Sequence, residues 1–113
     1  MIAILSVKSP QKEVWFVYLA RCSDGSIYTG IARDVTARIA KHDAGKGARY
    51  TRGRGPLVLC ATRRCRSKGD ALRLELAVKA IAREKKEALT QPRKLATFAR
   101  SIAARASSRS VKP

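Results

Sequence analysis

Hydrophobic positions first gather in a run at residues 14–20, where β-branched and aromatic side chains follow one another for the length of one strand. The Ser-Asp-Gly-Ser segment at residues 23–26 is typical of a tight turn, because glycine tolerates the positive φ angles that hairpin turns require. Apolar residues return at 27–31. This pattern predicts an antiparallel hairpin of two strands.

Polar and apolar positions then take up the spacing of amphipathic helices. Asp34 is a candidate N-cap for the first helix, on which Arg38 and His42 lie four positions apart and share one face. Ser67 and Asp70 have the spacing of a capping box in front of a second, longer helix. A loop rich in glycine and arginine and a third apolar run lie between these helices. The predicted strands are residues 14–20, 27–31 and 57–62, the loop is 45–55, and the helices are 35–44, 69–89 and about 95–104.

The order of these elements, β-β-α-β-α with a further C-terminal helix, predicts the fold class. A hairpin and a third strand can form a small three-stranded antiparallel sheet, and helices can cover its faces. The chain has 113 residues, of which 45% are hydrophobic, which is enough for one core. We therefore expect an α/β protein built as an α+β sandwich, with one sheet flanked by helices.

Charge is the first feature that points to a partner. The chain carries 25 lysines and arginines against 8 acidic residues, a formal net charge of +17. Such a charge destabilises a small domain unless a polyanion neutralises it, so nucleic acid is the first candidate partner. An anionic membrane surface is the second, and a solvated basic surface without a specific partner is the third. No apolar run approaches the roughly 20 residues that a spanning helix needs, which excludes a membrane-embedded protein.

The cysteines and the apolar opening bear on the cellular compartment. Cys22, Cys60 and Cys65 have no metal-binding spacing, and His42 cannot complete a zinc site with them. An odd number of cysteines without a secretory context indicates reduced thiols in a cytoplasm. Residues 1–5 are apolar, but no basic segment precedes them, so we interpret residues 1–12 as a flexible leader and not as a signal peptide.

Five residues could together hydrolyse a phosphodiester bond. That chemistry needs a base to take a proton from water, a cation over the phosphate, and a carboxylate to hold a metal ion. Each residue also has a purely structural interpretation: sheet packing for the tyrosines, a solvated charge for the arginine, a helix-dipole contact for the histidine, and an ion pair one turn away for the glutamate. The candidates are Tyr18, Tyr28, Arg38, His42 and Glu75.

Two short motifs make the chain resemble a known family. The segments Val17-Tyr18-Leu19 and Tyr28-Thr29-Gly30, with ten residues from tyrosine to tyrosine, resemble the paired motif that names the GIY-YIG nuclease superfamily. Arg38, then His42 one turn later, and Glu75 in the helix after the third strand occupy the corresponding places. The stretches at 45–51 and 75–79 resemble the small stand-alone bacterial branch, and the resemblance spans about residues 14–90. Two features depart from the family: Phe16 stands where the motif has glycine, and the chain contains no asparagine.

The resemblance implies a metal-dependent endonuclease that hydrolyses DNA, or RNA as the second choice. Tyr18 would be the general base or would orient water, and neighbouring cations would lower its pKa from about 10. Tyr28 would help to fix the nucleophile, and Arg38 would grip the scissile phosphate. His42 would accept or pass a proton. Glu75 would bind Mg²⁺ or Mn²⁺.

The basic residues around the glycine-rich loop are candidates for holding the nucleic acid. They would contact phosphates, so we expect steep salt dependence, little sequence specificity and selection by DNA structure. Tyr50 could stack on a base or pack against the edge of the sheet. The candidate nucleic-acid-binding residues are Lys41, Lys46, Arg49, Arg52 and Arg54.

The resemblance also divides the chain and suggests its setting. Residues 13–90 would be the catalytic domain, and residues 91–113 a basic C-terminal helix or tail that adds phosphate contacts and little core. The protein would act in a bacterial cytoplasm near the nucleoid, as in DNA repair, with a second copy or a protein partner to direct it. Two alternatives remain: a module of the same fold that binds nucleic acid without cutting, and a basic protein that binds ribosomes or an acidic partner.

Overall fold

The computed structural model describes residues 14–110, with side chains described as far as residue 106. The predicted leader therefore lies outside the described residues. One antiparallel sheet has the strand order β2-β1-β3, and four α-helices accompany it, which confirms the predicted α+β class. The strands are β1 (Trp15–Arg21), β2 (Ile27–Ala32) and β3 (Val58–Cys65). The helices are α1 (Val35–Asp43), α2 (Lys68–Lys79), α3 (Arg83–Lys86) and α4 (Pro92–Ser110), with 3₁₀ turns at Arg49–Thr51 and Glu87–Thr90.

Local sequence signals set the beginnings of the helices. The Asp34 carboxylate accepts the backbone N–H of Ala37 at 3.0 Å, and the Ser67 hydroxyl accepts that of Asp70 at 3.1 Å. Both residues are therefore N-caps, as their positions in the sequence predict. The hairpin turn contains Gly25 at a φ of 87°. No helix among residues 14–110 is long and apolar enough to cross a membrane.

Alternation along the central strand gives the sheet two different faces. Val17 and Leu19 point to the first, which we call the apolar face, where they join a core cluster with residues of β3, α2 and α4. Tyr18 and Ala20 point to the second, which we call the aromatic face, where Val35 and Ile39 of α1 pack. The candidate tyrosines lie on the aromatic face together with α1, which carries Arg38 and His42. The main core lies on the apolar face and includes α2, which carries Glu75.

The predicted long helix at 69–89 is wrong in its second half. Helix α2 ends at Lys79, and the chain turns before α3 and a 3₁₀ turn. A straight helix would carry Leu89 about 15 Å beyond Lys79, at 1.5 Å per residue. The turn instead brings Leu89 back to the main core, where it is buried.

The expectation that the C-terminal segment contributes little core is also wrong. Leu95 is fully buried and Ala99 nearly so, and both belong to the main core cluster. Phe98 and Ile102 are partly buried against the same cluster. These four residues follow the i, i+3, i+4, i+7 spacing of an amphipathic helix, which many basic neighbours obscure in the sequence. Whether the segment also binds phosphates stays a prediction.

Candidate active site

The two tyrosines lie together because of the hairpin register. Tyr18 pairs with Gly30 and Ala20 pairs with Tyr28, so both tyrosines are on the aromatic face as diagonal neighbours. Their ring centroids are 6.2 Å apart. A Cβ on Gly30 would lie 2.7 Å from the Tyr18 hydroxyl oxygen. The motif glycine on β2 is therefore required, because it leaves room for the Tyr18 ring.

His42 contacts the Tyr18 hydroxyl from helix α1. Its ring is almost fully buried, and its Nε2 lies 2.9 Å from the Tyr18 hydroxyl oxygen. The imidazole also meets the Tyr28 ring edge-on, with centroids 5.0 Å apart. On the other side of the ring, Nδ1 lies 2.7 Å from the hydroxyl oxygen of Thr51. Both ring nitrogens are therefore hydrogen-bonded to side chains.

The loop that carries Thr51 is closely attached to the rest of the site. The Asp43 carboxylate accepts the backbone N–H of Leu57 at 2.9 Å, and the Ser23 N–H donates to the Arg54 carbonyl at 2.7 Å. A Cβ on Gly47 would overlap with the His42 ring. Gly47 therefore makes room for the imidazole.

Burial is the largest influence on the pKa of Tyr18. Burial and the neighbouring Tyr28 raise this pKa to about 12, and a hydrogen bond from Arg38 together with its positive charge lowers it only in part. The net shift is therefore upward, although the sequence predicts that Arg38 and a metal ion lower this pKa. Arg38 acts in the expected direction, but desolvation of the phenolate is the larger effect. Tyr18 is consequently protonated at neutral pH.

His42 and Tyr28 are also shifted toward their uncharged forms. Burial lowers the His42 pKa, the Arg38 charge lowers it further, and Asp43 opposes the change. Burial raises the pKa of the Tyr28 hydroxyl. Near neutral pH the site therefore holds a neutral imidazole beside a protonated phenol, which is the combination that lets a histidine accept a phenolic proton.

Glu75 reaches the tyrosines from helix α2. Its negative charge raises the pKa of both Tyr18 and Tyr28, and its side chain is only 14% exposed. The carboxylate also pairs with Lys79 at 3.2 Å, the contact that the structural interpretation of this glutamate predicts. Glu75 therefore has a position next to the tyrosines and an ion pair at the same time.

The donors around Glu75 suit only one kind of metal site. The described part of the chain contains no cluster of three or more histidine, cysteine or acidic side chains that could hold a metal ion. A metal site made of protein ligands alone therefore does not fit. Mg²⁺ commonly uses one or two carboxylates and completes its shell with water and substrate phosphate. A site of that open kind fits the single, largely buried carboxylate of Glu75.

A basic cleft lies directly beside the site. It has a volume of about 750 Å³ and is lined by Arg38 and Lys41 of α1 together with Arg33 and Lys68. Arg38 and Lys41 were candidates from the sequence, whereas Arg33 and Lys68 were not. No spacing in the sequence links the latter two, because they belong to different elements that only the fold brings together.

The remaining basic candidates lie on the loop and are spread over it. Lys46, Arg49 and Arg52 are exposed. Arg54 lies over the ring of Tyr50, 4.3 Å from its centroid, and its guanidinium is 3.6 Å from the Asp24 carboxylate. The Tyr50 ring also stacks with the Tyr28 ring, with centroids 6.0 Å apart. In the free protein Tyr50 packs against Tyr28 of the sheet, and 45% of the residue stays exposed, while stacking on a base stays a prediction.

Thr51 is the site residue that sequence reasoning missed. It is buried, and its hydroxyl contacts both His42 and the Ala48 carbonyl. A threonine in a loop carries no periodic or charge signal, and nine residues separate it from His42. Only the path of the loop places it against the imidazole.

Comparison of the sequence with known proteins identifies the family of this chain. The profile of the GIY-YIG catalytic domain matches residues 14–88, which include both tyrosines, Arg38, His42 and Glu75. The chain belongs to the GIY-YIG family. The GIY-YIG match ends before α4, so the helix that completes the core lies outside the matched region.

The chain is also similar to several UPF0213 proteins. One from Halalkalibacterium halodurans is 55% identical over 74 residues, which are 66% of this chain and 79% of that protein. One from Halobacterium salinarum is 51% identical over 73 residues, 65% of this chain and 95% of that protein. The solution NMR structure of a UPF0213 protein from Bacillus halodurans has 54% identity and a TM-score of 0.45, and the match covers 67% of this chain and 81% of that one.

Proposed function

We propose that this protein is a metal-dependent endonuclease that hydrolyses phosphodiester bonds of DNA. One observation carries the proposal: the buried Tyr18 hydroxyl lies 2.9 Å from Nε2 of a neutral His42, and Arg38 acts on the same hydroxyl. A buried phenol between a proton acceptor and a cation is suited to taking a proton from water at neutral pH. Membership of the GIY-YIG family supports the same chemistry.

The proposed mechanism uses Tyr18 and His42 as a relay. A phenol with a pKa of about 12 does not ionise freely at neutral pH. His42 Nε2 therefore takes the phenolic proton as the Tyr18 oxygen takes a proton from the attacking water. The positive charge that develops on the imidazole stays next to the negative charge that passes from the water to the phosphate. Arg38 donates to the phosphate oxygens and stabilises that negative charge.

Glu75 is the residue that would hold the divalent cation, Mg²⁺ or Mn²⁺. When bound, such an ion neutralises charge on the phosphate and on the leaving oxygen. Lys79, which pairs with the carboxylate at 3.2 Å, would have to release it. This exchange is feasible because the Lys79 side chain is half exposed and can turn to water or to a phosphate.

The basic cleft and the loop would hold the DNA through its phosphates. Arg33, Lys41 and Lys68 line the same cleft as Arg38, and the loop supplies further cations. Such contacts position a backbone without reading bases, so we expect little sequence specificity and a steep loss of affinity with salt. Selection by DNA structure, a second copy or partner, and a role near the nucleoid remain predictions.

A second candidate function is nucleic-acid binding without cleavage. The observation in its favour is the ion pair of Glu75 with Lys79, which occupies the proposed metal ligand. In that case the carboxylate would stabilise helix α2 through this ion pair and would not bind a metal ion.

The experiment is cleavage of supercoiled plasmid and of labelled duplex, single-stranded, flapped and branched DNA, with Mg²⁺ or with EDTA. Wild type should cut with Mg²⁺ and not with EDTA. Glu75→Gln should abolish cutting and leave DNA affinity nearly unchanged, because one charge is lost from a strongly basic surface. The matched control is Glu84→Gln, the same change at an exposed position on α3, which should cut like wild type. Binding without cutting on every substrate would favour the second function, and normal cutting by Glu75→Gln would contradict the metal assignment.

A further inference from the structure

We infer that Thr51 is a positioning residue: its hydroxyl determines which nitrogen of His42 carries the proton and so makes Nε2 the acceptor for Tyr18. The inference about the tautomer stands on geometry alone. Its catalytic consequence rests on the proposed nuclease function.

The Thr51 hydroxyl lies between two groups, and only one direction of hydrogen bonding satisfies both. The hydroxyl oxygen is 2.9 Å from the Ala48 carbonyl oxygen and 2.7 Å from His42 Nδ1. A hydroxyl has one proton, and a carbonyl oxygen can only accept. The Thr51 proton therefore goes to Ala48, and the hydroxyl offers a lone pair to His42. Nδ1 must then be the nitrogen that carries hydrogen.

The proton on Nδ1 of His42 also fixes the direction of the hydrogen bond between His42 and Tyr18. A neutral imidazole has one N–H, so a proton on Nδ1 leaves a lone pair on Nε2. That lone pair faces the Tyr18 hydroxyl at 2.9 Å, and the phenol donates to it. In the other tautomer Nε2 would donate to the Tyr18 oxygen, and the lone pair of Nδ1 would face the lone pair of Thr51. Thr51 thus sets the direction in which the phenolic proton can move.

Thr51 is held firmly in place by the loop. The Ala48 carbonyl accepts both the hydroxyl and the backbone N–H of Thr51, the latter at 3.1 Å, so it holds the residue at two atoms. Thr51 is buried, and Gly47 of the same loop lies against the imidazole. A rotation of the hydroxyl toward His42 would leave the partly buried Ala48 carbonyl with one hydrogen bond fewer, which is unfavourable.

The hydrogen bond between His42 and Thr51 does not change when the phenolic proton of Tyr18 moves to His42. An imidazolium donates from both nitrogens. The Nδ1–H bond to Thr51 is therefore the same before and after His42 takes the phenolic proton, and only the hydrogen between Nε2 and Tyr18 changes sides. The loop need not rearrange during the transfer. A prearranged acceptor of this kind lowers the cost of proton transfer.

The test exploits the fact that His42 is the only histidine in the chain. Its two ring nitrogens can be assigned in long-range ¹H–¹⁵N spectra without ambiguity, at pH 8 and in the free protein. Wild type and Thr51→Ser, which keeps the hydroxyl, should show the proton on Nδ1. Thr51→Val has nearly the same shape without the hydroxyl and should show a mixture of both tautomers. Thr29→Val is the matched control, since it removes a buried hydroxyl from the apolar face and should leave the wild-type spectrum.

A proton on Nε2 in the wild-type spectrum would overturn the inference, and this result does not depend on whether any variant folds. A folded Thr51→Val with the wild-type tautomer would overturn it as well. In single-turnover cleavage we expect Thr51→Val to lose roughly 10-fold to 100-fold in rate at unchanged DNA affinity, and Thr51→Ser to recover most of that loss. If the protein cuts no substrate but shows the expected spectra, the tautomer inference stands and the nuclease proposal fails.

Discussion

The two faces of the sheet each bury a threonine, and the two hydroxyls have opposite surroundings. Thr51, on the aromatic face, donates to the Ala48 carbonyl and accepts from His42. Thr29 alternates with Tyr28 on β2 and so points to the apolar face, where its buried hydroxyl has no hydrogen-bond partner among the described residues. The apolar face is therefore held by shape and volume, and the aromatic face by directed hydrogen bonds.

This difference predicts how each face responds to substitution. On the apolar face, loss of volume should reduce stability and leave the chemistry of a folded molecule unchanged. On the aromatic face, loss of a single oxygen should change proton transfer far more than stability. Substitutions on both faces can test this contrast.

The largest stability effect is expected from Leu95→Ala in α4. The side chain is fully buried in the main core, and such truncations leave a cavity that costs about 2–5 kcal/mol of unfolding free energy. Thr97→Ala on the exposed side of the same helix is the control and should change stability by no more than about 0.5 kcal/mol. Chemical denaturation followed by circular dichroism measures both. A loss below about 1 kcal/mol for Leu95→Ala would show that α4 is peripheral.

Alkaline pH should destabilise the aromatic face through Tyr18. Its pKa is about 12 in the folded protein and 10.0 when exposed, so between these values the unfolded chain loses the phenolic proton first. The contribution of the Tyr18 phenol to the unfolding free energy is therefore fully present below pH 10. It is lost as pH rises toward 12, which lowers stability by about 2–3 kcal/mol. Tyr18→Phe lacks the group, so the difference between the two unfolding free energies should move by the same amount over this interval. Since wild type starts only about 1 kcal/mol more stable, it should end less stable than the variant. A constant difference from pH 9 to pH 11.5 would contradict the burial of the phenol.

Gly47→Ala should disturb the aromatic face by overpacking. The added methyl group would overlap with the His42 ring, and such insertions typically cost about 1–3 kcal/mol. Gly69→Ala in the first turn of α2 is the matched control, because its added Cβ would approach no closer than 3.8 Å to the Ser67 hydroxyl oxygen. Thermal unfolding should separate the two variants. Equal melting temperatures would mean that the imidazole does not lie against Gly47.

The smallest effect should have the opposite sign. Thr29→Val replaces a buried hydroxyl that lacks a partner with a methyl group of similar size, so it should stabilise the protein by about 1 kcal/mol. Thr62→Val at an exposed position of β3 should be close to neutral. Denaturant midpoints measure this. Destabilisation by Thr29→Val would show that the hydroxyl has a partner.

Local signals let the sequence predict much of this fold. The hairpin and the caps at Asp34 and Ser67 depend on neighbouring residues, and the structure has all of them. The third strand was also visible as a local apolar run, but its pairing with the distant β1 followed from the order of the elements. The end of α2 could not be predicted, because residues 80–82 are Ala-Ile-Ala and contain neither glycine nor proline. The turn there is imposed by the burial of Leu89 in the core, a tertiary effect.

Five candidate site residues could be named from the sequence, but three further residues near them and the electrostatics of the site could not be predicted. The five proposed catalytic side chains could be named from spacing and family resemblance, and the structure places them around the Tyr18 hydroxyl. The direction of the Tyr18 pKa was not predictable, because it depends on how far burial outweighs Arg38. Arg33, Thr51 and Lys68 join the site only through the path of the chain.

The most direct test of the proposed relay is a double-mutant cycle on Tyr18 and His42 in single-turnover cleavage at saturating enzyme. Tyr18→Phe should lose about 10²–10⁴-fold in rate while stability changes by about 1 kcal/mol, and His42→Ala should lose less. Because the two residues act as one unit, the double variant should fall little below Tyr18→Phe. Losses that multiply would contradict the relay, and a Tyr18→Phe rate close to wild type would remove Tyr18 from the chemistry.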